Sequence, residues 1–255
     1  MFSFFKGVLS FYLLWHLYSL YPYSDELFGE DMPYDPNLSP TSVFPNALNF
    51  IDAKIFIILL FVITLLFLHD FHHRVCAGIL WYGWACLLNR NVLISNPGIP
   101  YVGWLLLASV FIPSDKIPRN IFWVGWFLMA MGYTVSGLHK LQCPSWISGD
   151  ALRFVLESPL ARDNIFVDIA LGMPDIFLKI ATWSTLFLEI SFLPLGTLYH
   201  TRCLFWLIYM FLHMGILLLI NFTDLTFGVL MIHVFTLDAH WFRRASTRDR
   251  INKMK

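Results

Sequence analysis

The chain has 255 residues, 58% of them hydrophobic and only 13% charged, with seventeen basic side chains balanced by seventeen acidic ones. Soluble domains carry about 45–50% apolar and about 25% charged residues, so the composition excludes an ordinary water-soluble domain and marks an integral membrane protein whose main partner is the lipid bilayer. The zero net charge supplies no phosphate-neutralising surface, which argues against a nucleic-acid partner.

A bilayer core of about 30 Å takes roughly 20 residues of helix. The first apolar run, 3–21, follows a single lysine, Lys6, and precedes no small-residue cleavage motif, so it reads as a retained helix rather than a removed signal peptide. Residues 22–53 carry Asp25, Glu26, Glu30, Asp31 and Asp35 among several prolines and predict an irregular lid with no regular helix. A second helix is expected over 54–69. Residues 75–88 and 100–113 are each short for a crossing, and they read either as two spans or as one re-entrant hairpin around 89–100. Within that stretch SNPG at 95–98 is a turn, and Arg90, between Asn89 and Asn91, is either a solvated loop arginine or a clamp for an anion.

Further spans are expected over 120–139, 176–199, 203–221 and 225–241. The loop 141–175 holds one amphipathic interfacial helix, with Ile147, Ala151, Leu152, Val155 and Leu156 on one side and Asp150, Arg153 and Glu157 on the other. Ser148 is its expected cap and Pro159 its stop. The tail RRASTRDRINKMK reads as a basic anchor against anionic headgroups. Four cysteines, Cys76, Cys86, Cys143 and Cys203, show neither metal-ligand spacing nor a disulfide framework, so no metal is expected.

The expected fold is therefore all-α, a polytopic transmembrane helix bundle of about eight segments over residues 1–241, followed by a cytoplasmic tail, 242–255. With a cytoplasmic N-terminus and eight crossings, the inner side collects Lys6, Arg74, Lys116, Arg119, Arg202 and the six basic residues of the tail. The outer side keeps Lys54, Arg90, Lys140, Arg153, Arg162 and Lys179, an asymmetry that follows the positive-inside rule and puts both termini in the cytoplasm. Replacing two of the spans by a hairpin leaves that orientation unchanged.

Ionisable groups at the bilayer centre cost about 2.5–3.5 kcal/mol each on insertion scales, so each one asks for a partner or a purpose. Glu189 lies about 20 Å into its helix at ~1.5 Å per residue. His213 and His233 are expected at similar depth, where the three form either one buried polar cluster or separate structural hydrogen bonds between helices. His16 reads as an amphipathic side chain toward the outer end of the first helix. Lys140, at the end of an apolar run, either snorkels to the headgroups or, if the following loop folds over it, sits in a dry site where a lysine gives up its proton more readily. Its neighbour His139 points about 100° away and cannot share the same cavity.

The order of LLNRNVLISNPG, LLLASVFIP, GYTVSGLHKLQCPSWISGDAL, TLFLEISFLPL and FLHMGILLLINF resembles the HTTM domain, the membrane region shared by vitamin K-dependent gamma-carboxylases and many small bacterial proteins. The strongest patch is the spacing of Tyr133, Gly137, Lys140, Trp146 and Gly149. By that resemblance Lys140 is the base that deprotonates a reduced, vitamin K-like quinone, with His213 and Glu189 as its catalytic company. The candidate ligand-binding residues are Tyr133, His139, Trp146, Arg90 and His233. The chain departs from the carboxylases at Val92, at the NPG turn and at His139, and it ends without their large extracytoplasmic region. The resemblance thus implies a membrane enzyme acting on a quinone-like or lipidic ligand at the outer face, with carboxylase or epoxidase-like lyase chemistry. The competing expectation is a non-catalytic membrane subunit or maturation factor that binds a protein or peptide partner through the acidic 22–53 loop.

Overall fold

The computed structural model describes residues 2–29, 45–113, 116–238 and 241. The acidic positions Glu30, Asp31 and Asp35 of the expected lid, and the tail 242–255, lie outside the described residues. In chain order the α-helices are α1 (Phe2–Leu20), α2 (Ser24–Phe28), α3 (Ala53–Leu68), α4 (His73–Arg90), α5 (Gly98–Val110), α6 (Arg119–Lys140), α7 (Pro144–Ser148), α8 (Ala151–Leu156), α9 (Ile165–Gly172), α10 (Asp175–Gly196), α11 (Arg202–Leu219) and α12 (Thr223–Phe235). Among the described residues there is no strand, only an isolated bridge between Ala161 and Ile220. The helices α6, α10 and α11 are long and apolar enough to cross a membrane, whereas α3, α5 and α12 are apolar but shorter, at 16, 13 and 13 residues.

The chain forms two compact units, one of residues 1–122 with 224–235 and the other of 123–223 with the chain from 236. In the first, α1 packs on α3, α3 on α4 and α4 on α5. The face of α1 that carries Phe2, Phe5, Leu9, Leu13 and Leu17 at three- and four-residue spacing is buried, while Phe4 and Phe11 point outward. Asp52 starts α3 by accepting from the amides of Lys54 and Ile55. Gly98 and Gly228 bring α5 and α12 together so tightly that a Cβ on Gly228 would stand 2.8 Å from the Cα of Gly98.

In the second unit Trp126, Tyr133, Phe192, Phe205 and Tyr209 form an aromatic core between α6, α10 and α11. Pro194 lies inside α10, where it removes a backbone donor and strains the ladder. Thr134 of α6 engages the turn just before it: its hydroxyl accepts from the Leu193 amide at 3.0 Å and donates to the Glu189 carbonyl at 3.2 Å. One turn further along α6, Gly137 lets the helices touch, since a Cβ there would stand 2.9 Å from the Cβ of Glu189 and from the amide nitrogen of Ile190.

Five points differ from the sequence reading. The single interfacial helix is two, α7 and α8, because Gly149 takes a left-handed φ of 87° and breaks the run. Ser148 does not cap a helix; its hydroxyl donates to the Asp150 carboxylate at 2.6 Å. The 22–53 stretch does contain helix, the five residues of α2. The last helix ends at Phe235 rather than 241, and beyond it Asp238 pairs with Arg202 at 3.1 Å while Trp241 lies 5.8 Å from the same guanidinium. α9 was not anticipated, although Asn164 caps it by accepting from the amides of Phe166 and Val167.

Gly137→Val should overpack the α6 and α10 contact and destabilise the fold by about 1–3 kcal/mol. Thermal unfolding in detergent checks this, with a lowered midpoint expected for Gly137→Val and little change for Gly172→Ala, where an added Cβ meets nothing within 4 Å.

Candidate functional site

Lys140 is the last residue of α6, and its ammonium does not reach for open water. Nζ donates to Ser136 Oγ at 3.2 Å, one turn back on the same helix, and to both carboxylate oxygens of Glu189, the Oε2 contact being 2.6 Å. All three ammonium protons are thus engaged. The Lys140 side chain is 23% exposed and that of Glu189 only 7%, so the pair sits in a largely dry setting. The Trp146 ring covers it, with its centroid 4.7 Å from Nζ, a distance at which the ring face attracts the charge.

The position of Trp146 is set by how α7 and α8 are fastened to α10. Trp183 Nε1 donates to the Ile147 carbonyl at 3.0 Å, Lys179 pairs with Asp150 at 3.3 Å, and the Leu152 amide donates to Thr182 Oγ1 at 3.3 Å. Gly149 allows this approach, for a Cβ there would stand 3.0 Å from the Lys179 side chain and from Trp183. The hydrogen bond from Ser148, and then the ammonium of Lys179, hold the Asp150 carboxyl below the usual carboxylate range.

Glu189 and Lys140 were expected at different depths, and they lie level. The half of α10 from Asp175 to Phe187 therefore continues past the end of α6 and is flanked by α7 and α8. That region turns large apolar side chains outward, including Ile147, Phe154, Ile176, Phe177, Ile180 and Phe187. α9 adds Ile165, Phe166 and Ile169.

Tyr133 and His213 form a second polar contact in this unit, with the Tyr133 hydroxyl 2.6 Å from His213 Nε2. The Tyr133 ring stacks on Phe192 at 5.0 Å and lies 4.0 Å from Tyr209, centroid to centroid. The Tyr209 hydroxyl is buried with no partner among the described residues. Of the residues singled out by sequence, Lys140, Glu189 and Trp146 meet directly, and Tyr133 and His213 meet each other. His139 is exposed at the end of α6.

Arg90 and His233 belong to the first unit. The Arg90 guanidinium is buried and donates to the carbonyls of Phe28 and Gly29 and to Asn49 Oδ1, so it ties α2 to α4. His233 is fully buried on α12. His16, read from sequence as an interfacial side chain, is buried against Asp224 instead. The available signal was Asp224 itself, an acidic residue at the head of an apolar helix.

Comparison with known protein families, with curated proteins and with solved structures finds no match for this chain. Among the described residues no group of three or more His, Cys, Asp or Glu side chains is placed to hold a metal ion.

Glu189→Gln should leave the Lys140 charge without its counter-ion at a cost of about 2–4 kcal/mol, and Lys140→Ala added to it should cost less than the two single changes together. A double-mutant cycle read by thermal unfolding checks the coupling. Because the Asp150 carboxyl is held low, the tie it makes is complete above the ordinary carboxylate range and is lost as pH falls through and below that range. The protection of the 144–156 amides against hydrogen exchange, relative to their intrinsic rates, should fall at acid pH, and Asp150→Asn should abolish that dependence.

Proposed function

We propose that the protein is a multi-pass membrane protein of about eight segments with cytoplasmic termini, of HTTM type, that uses the Lys140/Glu189 couple for proton transfer with a lipid-borne ring hydroxyl, as in a reduced quinone. The single observation that carries this reading is the ion pair itself, roofed by Trp146 and edged by outward apolar side chains. The resemblance of the residues around Lys140 to the gamma-carboxylase membrane region supports the same assignment.

The couple has the chemistry the role needs. In a medium that solvates charge poorly, the charged pair Lys⁺/Glu⁻ and the neutral pair Lys/GluH lie closer in energy than in water, since separating charge there brings little solvation. Passing a proton from Nζ to Glu189 leaves a neutral amine, the form of Lys140 that acts as a base. A reduced quinone, when bound, supplies an acidic ring hydroxyl. Lys140 takes that proton at Nζ and becomes cationic beside the oxygen it has served, while Glu189 holds the other proton. The Trp146 face suits a flat ring, and the pair's zero net charge suits a neutral ligand.

The outward apolar side chains of α7 to α10 favour a ligand that arrives from the bilayer. They would put the cover over Lys140 in lipid contact.

Reconstituted protein supplied with reduced quinone, oxygen and labelled carbon dioxide tests the reading. Lys140→Ala should lower quinone epoxide formation by about 10²-fold or more, the usual contribution of a positioned base. Equal rates for wild type and Lys140→Ala would sink the base assignment. Absence of turnover, with stoichiometric co-purification of one neighbouring protein, would instead favour the non-catalytic subunit.

A further inference from the structure

The first unit holds a separate group of titratable side chains for which the Lys140 chemistry has no use. Asp224, in the first turn of α12, accepts three hydrogen bonds: from the Tyr12 hydroxyl at 2.8 Å and His16 Nδ1 at 2.7 Å on one oxygen, and from Asn96 Nδ2 at 2.8 Å on the other. Tyr12 and His16 are four residues apart and share a face of α1. Asn96 is fixed in turn, because its Oδ1 accepts from the Gly98 amide at 2.8 Å.

These partners settle the tautomer. An ionised carboxylate only accepts, so Nδ1 carries a proton, and whenever the ring is neutral Nε2 is its bare nitrogen. Nε2 has no partner among the described residues, although His16 is only 6% exposed. A histidine that served only to join α1 to α12 would need Nδ1 alone. The second nitrogen is left over by that contact, on a ring oriented by a carboxylate that already accepts three hydrogen bonds. Its ring is walled by Trp84 at 4.7 Å and by Tyr12 at 5.8 Å, centroid to centroid.

We infer that His16, held by Asp224, is a proton-accepting site for the hydroxyl group of a neutral, lipid-borne ligand. The class follows from the surroundings. Among the described residues the titratable or charged groups facing His16 are Tyr12 from α1 and Asp224 from α12; α4 and the 95–97 turn contribute the uncharged Trp84 and Asn96. No lysine or arginine pairs with Asp224 among the described residues, so an anion would meet only a carboxylate. The aromatic walls suit an apolar body, and the outward Phe4 and Phe11 of α1 suit arrival from lipid. On transfer the O–H bond yields its proton to Nε2, the electron pair stays on the ligand oxygen, and the imidazolium is neutralised by Asp224. The ligand hydroxyl is either a phenolic ring hydroxyl or a glyceride alcohol.

The test uses the full chain in lipid nanodiscs with ¹⁵N-labelled histidine. His16→Gln assigns the resonances, and Asp224→Asn assigns them if the first variant does not fold. Wild type should show a protonated Nδ1 and a bare Nε2, and Asp224→Asn should lose that bias. A short-chain alkyl hydroquinone and a monoacylglycerol are then titrated separately. At least one should shift Nε2 saturably toward a hydrogen-bonded position, and the shift should survive Lys140→Ala, which separates this site from the one proposed above. A response to the hydroquinone alone names a ring ligand, and a response to the glyceride alone a lipid alcohol. A protonated Nε2, a tautomer indifferent to Asp224→Asn, or no response to either probe would overturn the inference.

Discussion

The contact between Lys140 and Glu189 fixes the geometry of the second unit, because neither charge is tolerable there without the other. A lysine that ends an apolar helix can usually escape to water along its flexible stem. Here Ser136 and Glu189 hold it back, and the demand for a counter-charge locks the register of α6 against α10. Gly137 and Thr134 then have little choice: the first must be small where the helices touch, and the second must face the opened ladder before Pro194. The cover of α7 and α8 completes the enclosure through Trp146.

The same rule orders the other buried charges. Arg90 is surrounded by carbonyl oxygens, Arg202 lies among the rings of Trp123, Trp126 and Trp241 with Asp238 as counter-ion, and Asp224 is ringed by donors. Each of these sites links segments that are distant in sequence. In an apolar interior, where dispersion forces differ little from one packing to the next, such directional contacts discriminate between alternative arrangements of helices.

Much of the helical content was legible in the sequence, since continuous apolar runs bounded by Pro, Asn and charge announce helices whatever their partners. Composition also marked the three helices long and apolar enough to cross a membrane. What could not be read was depth and pairing. Glu189 looked central and Lys140 peripheral because each was measured along its own helix, and only the offset between α6 and α10 makes them level. Asp224 stands at the head of an apolar helix, and its three donors come from positions 12, 16 and 96, far away along the chain. The split of α7 from α8 turns on one left-handed glycine, Gly149, whose conformation is set by Lys179 and Trp183 packing beside it.

The hydroxyl of Thr134 occupies both ends of what would otherwise be a single rung of α10, from Leu193 to Glu189. That rung is thereby held by a side chain on a neighbouring helix. A small rotation of α6 would pull on that rung and on the Glu189 main chain at the same point. One hydroxyl of α6 is therefore bonded to the main chain of the residue whose carboxylate meets Lys140.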